Sequence, residues 1–309
     1  MLRSRLRLQL SIAASALLVA GAASAAPLVI PFDFTQSELG LEVTVKGHAL
    51  FMLLDTGVDP SVIDLKRTRD LGLVVDLKSG GEGDGFGDGG SALAYPTTIQ
   101  GLVLGGRSFG PVEALTGDLE ELSARYGRRL DGILGFSFLH DKSVLVDYRA
   151  HRVVILDQLS DAVAETGACR RHWQEPMRLL KGANWPLISD FRLGETSLPA
   201  TLDTGSSGSI DIYEGALALP GVKAALTETG QGSSTGFRGL SKLTNYAFRA
   251  SVGVGPFRLP AGQAVTLRHV PGSANASLAN LGNKLFAQLG LEMLLDYRGR
   301  TITFFGDCR

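Results

Sequence analysis

"LLDTGVDPSVIDL", residues 53–65, ends an apolar run on an Asp and follows it at once with the turn-forming pair Thr56-Gly57. An Asp so placed is the acid that orients a His in a nucleophilic triad, or one half of a carboxylate pair, or simple turn chemistry. The rest of the chain decides. "TLDTGSSGS" at 201–209 repeats the segment and sets Asp203 148 residues beyond Asp55. A second pair agrees: "VLVDYRAHRVVIL" at 144–156 returns as "MLLDYRGRTITFF" at 293–305, with Asp147 and Asp296 149 residues apart. Two unrelated motifs in one register mark a duplicated unit of about 140 residues.

The junction, "DQLSDAVAETGACRRH" at 157–172, is polar and lacks strand alternation. The expected organisation is a leader over 1–25, an N-terminal lobe over 26–160 and a C-terminal lobe over 161–309. Within each unit the residues preceding the Asp alternate around a glycine turn, at Gly47-His48 in the first and Gly194 in the second. Each Asp-Thr-Gly therefore follows the second strand of a hairpin. Helical signal is brief, over 64–70, 136–141 and 283–289. With strands dominant and turns closely spaced, the fold class is all-β, closing into barrels or sandwiches.

Composition removes whole function classes. A 309-residue chain with 44% hydrophobic residues and a net charge of -1 is an ordinary globular protein, with no basic stripe for nucleic acid. Arg3, Arg5 and Arg7, the apolar stretch Leu8 to Ala20 and the small-residue site Ala23-Ser24-Ala25 read as a secretion signal, an uncleaved anchor being the alternative. The mature protein is then expected in the periplasm or secreted. Only two cysteines occur, Cys169 and Cys308. In an oxidising compartment they read as one disulfide, or else as two buried thiols. They offer no zinc spacing, and no His-Glu-x-x-His exists, so no metal and no cofactor is expected.

A subtilisin-like triad needs a His in a His-Gly-Thr context and a Ser in Gly-Thr-Ser. None of His48, His140, His151, His172 and His269 is followed by Gly-Thr, and no Gly-Thr-Ser is present. An Asp without its base and nucleophile cannot run acyl transfer.

The duplicated Asp-Thr-Gly instead resembles the pepsin and retropepsin families of aspartic proteases, and most closely their bacterial periplasmic relatives, over nearly the whole mature chain. Leu53-Leu54-Asp55-Thr56-Gly57 and Thr201-Leu202-Asp203-Thr204-Gly205 carry the resemblance, with the apolar-apolar-Gly loop Ile133-Leu134-Gly135. The second copy of that loop, Asn280-Leu281-Gly282, departs at its first position. The resemblance implies a bilobed acid-protease fold with a cleft between two β-barrel lobes, and an endopeptidase in which Asp55 and Asp203 share a proton and activate a water. It also implies that Thr56 and Thr204 bond the opposite lobe's backbone, and that Gly57 and Gly205 allow close approach and present N–H groups to the carboxylates. Ser206, where the first lobe has Val58, is expected to donate to the outer oxygen of Asp203, leaving Asp55 as proton carrier.

The glycine-rich runs "SGGEGDGFGDGG" at 79–90 and "TGQGSSTGFRG" at 229–239 read as flaps, with Phe86 and Phe237 as their substrate contacts. Asp59 resembles the retropepsin Asp-Thr-Gly-x-Asp form, in which that residue meets substrate backbone. The expected partner is a peptide or protein substrate, with no nucleic acid, no membrane once the leader is cleaved, and a monomeric enzyme. Asp55 stands only 29 positions beyond Ala26, which leaves no expected room for an inhibitory prosegment. The rival reading is a non-catalytic peptide-binding or inhibitor scaffold on the same fold.

Overall fold

The computed structural model describes residues 26–83, 92–167, 169–269 and 278–308. Strands hold half of the structure and helices 14%, so the class is all-β. Three large sheets organise it, and their strand orders repeat the duplication seen in the sequence.

The first repeat forms an eight-stranded sheet. The hairpin Gly40–Val45 and His48–Leu54 lies inside it, with buried residues on the inner face of each strand. Its turn is Lys46-Gly47, both at positive φ (48° and 82°), one residue earlier than the sequence suggests. Two left-handed residues in succession match the twist of a two-residue hairpin turn. Beside His48–Leu54 runs Gly132–Leu134 in parallel, and beyond it Ser61–Asp64. The second repeat builds a ten-stranded sheet with the same central order: the hairpin Pro186–Leu193 and Thr196–Asp203, then Ala279–Gly282 in parallel, then Ile210–Tyr213. Gly194 supplies that hairpin's left-handed turn residue, at φ 63°.

The third sheet belongs to both repeats. Ser143–Asp147 and Arg152–Leu156 form one hairpin, Glu292–Asp296 and Thr301–Gly306 its copy, and the two pair antiparallel at the middle with Leu145 opposite Leu294. The first strands of the repeats, Leu28–Pro31 and Arg171–Pro176, close its two edges. Successive Val, Leu and Ile side chains are buried along its central strands, because one face packs on the main core and the other on a smaller cluster around Leu145, Val154 and Leu294.

The helices at 65–70, 136–139 and 283–288 fall where the sequence puts them. The junction adds a helix, Ser160–Thr166, that its polar composition concealed. Cys169 and Cys308 form a disulfide that ties the start of the second repeat to its last strand.

Candidate functional site

Each central hairpin delivers one carboxylate to the cleft between the two lobes. Asp55 follows His48–Leu54 and is fixed by its own N–H, which donates to the Leu134 carbonyl at 3.0 Å. Asp203 ends the equivalent strand, Thr196–Asp203. Both are 8% exposed. The backbone turns after each Asp, so Gly57 N–H donates to Asp55 Oδ1 at 2.7 Å and Gly205 N–H to Asp203 Oδ1 at 3.0 Å.

The glycines are required by space rather than by φ. A Cβ on Gly205 would stand 2.0 Å from Asp55 Oδ2, and one on Gly57 2.9 Å from Asp203 Oδ1. The two carboxyl groups lie within hydrogen-bonding reach of each other. Burial, and then the neighbouring charge of Asp203, push the Asp55 carboxyl well above the usual carboxylate range. Two carboxyls so placed disfavour each other's charge.

Thr56 and Thr204 lock the pair from beneath. Thr56 Oγ1 donates to the Leu202 carbonyl at 2.6 Å, and Thr204 Oγ1 to the Leu54 carbonyl at 2.8 Å. Each hydroxyl also accepts the other threonine's backbone N–H, at 3.1 and 3.0 Å. These four bonds cross between the lobes and are sealed from solvent. Asn283 adds a second tie that the sequence reading missed. Its fully buried amide donates to the carbonyls of Ser37, Thr204 and Ser206 and accepts from the Tyr148 hydroxyl.

The expectation for Ser206 is overturned. Its hydroxyl accepts the Gly208 N–H at 3.2 Å, because the turn points it back along its own loop. The second oxygen of Asp203 is met instead by Asn280 Nδ2 at 2.8 Å. This is the residue that broke the apolar-apolar-Gly pattern, and the departure was the available signal.

Above the pair opens a cavity of about 530 Å³. Its first-lobe wall is apolar, with Leu53, Val62, Leu122, Leu130 and Ile133. Phe237, at the tip of the long hairpin Leu226–Gly236 and Gly239–Phe248, reaches across from the second lobe and packs into that wall. Its ring rests on Gly83 and Gly117, where an added Cβ would come within 2.7 and 2.6 Å of it. Arg125 holds the hairpin there: Nη1 donates to the Thr235 carbonyl at 3.0 Å, while Nη2 meets Glu38 Oε1 at 3.0 Å and the Ser207 hydroxyl.

Glu38 is buried and close enough to feel Asp203, and desolvation pushes it up to about 7 against the pull of Arg125. Neither Glu38 nor Arg125 sits in a recognisable motif. Asp59 lines the same cavity and accepts from Asn184 Nδ2 at 2.7 Å. The first glycine-rich run forms the short hairpin Gly81–Gly83 with Ala92–Ala94, and Phe86 lies outside the described residues.

No curated protein matches the chain. The model of the aspartyl protease family matches residues 41–138, which span Asp55, the grip residue Thr56 and the Ile133-Leu134-Gly135 loop. The match supports a relationship to the aspartyl proteases, and the same strand order and the same Asp-Thr-Gly turn recur in the second repeat.

Proposed function

We propose that the chain is an aspartic endopeptidase that hydrolyses a peptide bond through a water held between Asp55 and Asp203. The observation that carries this reading is the pair of buried carboxyls in mutual contact, joined across the cleft by the Thr56 and Thr204 bonds. The charged member takes a proton from the water as it attacks the carbonyl, and the protonated member donates to the carbonyl oxygen. The tetrahedral intermediate collapses as the leaving amine takes up a proton. The cleft admits an extended peptide once the Phe237 hairpin lifts from the first-lobe wall.

We further place residues 1–25 as a cleaved leader, a periplasmic or secreted location for the remainder, and lobes over 26–160 and 161–309. The Arg-apolar-small pattern of the N-terminus, the disulfide and the repeated strand order support those assignments.

The test is cleavage of casein and a peptide library from pH 3 to 8, with Asp55→Asn and Asp203→Asn made singly. Each substitution keeps the volume and removes the shared proton, so each is expected to lower kcat by about 10³-fold or more. A pepstatin-like inhibitor is expected to block the wild type. A variant retaining a tenth of wild-type turnover would point to a different catalytic apparatus.

A further inference from the structure

The lobes share their strands but not the residues beneath their aspartates. In the first lobe the strand leading to Asp55 sets Leu53 opposite Ile133 on its parallel neighbour, and both side chains belong to the apolar wall of the cavity. In the second, the matching register partners are Thr201 and Asn280, 1% and 3% exposed. An amide buried this deeply is tolerated when its polar atoms are used.

They are. Asn280 Oδ1 accepts from Thr201 Oγ1 at 2.6 Å, and Nδ2 donates to Asp203 Oδ2 at 2.8 Å. Turning the amide over would set Oδ1 against the carboxylate oxygen, so the chain of three has one orientation while that oxygen carries charge. Asp203 thus receives an N–H on each oxygen, from Gly205 and from Asn280. Over Asp55 no equivalent amide stands, since the matching position is the hydrocarbon of Ile133.

We infer that Asn280, oriented by Thr201, is a positioning residue that keeps the dyad's charge on Asp203 and assigns the shared proton to Asp55. Donation to a carboxylate favours its charged form, and a polar pair in one lobe against an apolar pair in the other breaks the pseudo-twofold symmetry of the site. A symmetric dyad would divide its proton between two equivalent positions. This one holds the acid and the base in fixed places before substrate arrives.

The inference rests on reading Asp55 and Asp203 as a proton-sharing pair, and the experiment separates the two. Asn280→Ile copies the first lobe, and the Thr201 hydroxyl keeps the Ala279 carbonyl, 3.3 Å away, as its partner. Thr201→Val leaves Asn280 in place but unclamped. In Asn280→Ile the acid limb of the pH profile of kcat/KM is expected to rise by about one pH unit, with kcat falling more than KM changes. Thr201→Val is expected to shift it the same way by less, and it serves alone if Asn280→Ile does not fold.

The same shift is expected in a ¹³C-carboxyl titration of labelled aspartates, which needs no substrate. Profiles and titrations that superimpose on wild type in the folded variants would overturn the inference while leaving the protease reading intact. A wild type without proteolysis would overturn that reading, and the titration would still decide the role of Asn280.

Discussion

Replacing Thr204 by Val removes one hydroxyl from the centre of the molecule at nearly constant volume. That hydroxyl donates to the Leu54 carbonyl at 2.8 Å and accepts the Thr56 N–H at 3.0 Å. Thr56 and Thr204 are 2% and 1% exposed, so water cannot take over either bond. Leaving the Thr56 donor unmet costs its desolvation, and the lost bond to Leu54 adds to it, together about 2–4 kcal/mol. For a protein stable by about 5–15 kcal/mol the variant still folds, but with much of its margin gone.

The assay is urea unfolding followed by the fluorescence of Trp173 and Trp185, the only two tryptophans. The midpoint is expected to fall without a change in slope. Thr204→Ser keeps the hydroxyl and is expected to recover most of the loss. A valine variant within about 0.5 kcal/mol of wild type would refute the account, since surface substitutions alone reach that size.

Three more outcomes follow from the same geometry. Folded Glu38 titrates near 7 and the unfolded chain near 4.5, so its contribution is complete below pH 4.5 and lost as pH rises to 7, a fall of about 3 kcal/mol. Glu38→Gln is expected to remove that part of the pH slope in denaturant titrations. Glu292, also pushed to about 7, is present in both proteins and cancels from the difference, so parallel curves would sink the assignment. Changing Cys169 and Cys308 together to Ser opens a loop of 139 residues, worth about 5 kcal/mol in the chain-entropy model; two alkylatable thiols in the unreduced protein would contradict the bond itself. Gly205→Ala puts a methyl where Asp55 Oδ2 stands, and is expected to abolish turnover with little change in the far-UV spectrum; retained activity would show that the carboxyls are not held this closely.

The repeat made the central hairpins and both aspartates legible, because a hairpin is a local object whose alternation and turn residues lie within twenty positions. What those hairpins touch is not local. Asn280 is visible in the sequence as a polar residue in an apolar pattern, but its meaning depends on the register that sets it opposite Thr201, 79 residues away. Ser206 was misread for a related reason: its offset from the Asp permits a bond to the carboxylate, and the turn spends the hydroxyl on Gly208 instead. Glu38 and Arg125 carry no sequence signal, since they meet each other across 87 residues of chain and the other partners of Arg125, the Thr235 carbonyl and the Ser207 hydroxyl, lie in the second lobe. The glycine-rich stretch at 229–239, read as a flap, lies in a ladder-paired hairpin, but that its Phe237 would pack on the first lobe depends on contacts far apart in the chain.

The sheet common to both repeats sets a clock on the molecule. A chain made from its N-terminus exposes Asp55 early, when nothing faces it. Asp203 follows, but Leu145, paired on one side with Val154, has no partner on the other until Leu294 is made, and Arg171–Pro176 has none until Thr301–Gly306 is in place. The lobes therefore have no common floor until Glu292–Asp296 and Thr301–Gly306 are made, and before that a nascent chain carries both acids without the sheet that joins the two repeats. The pair comes together only once both repeats are made, so a chain that holds the first repeat alone carries one acid and no site.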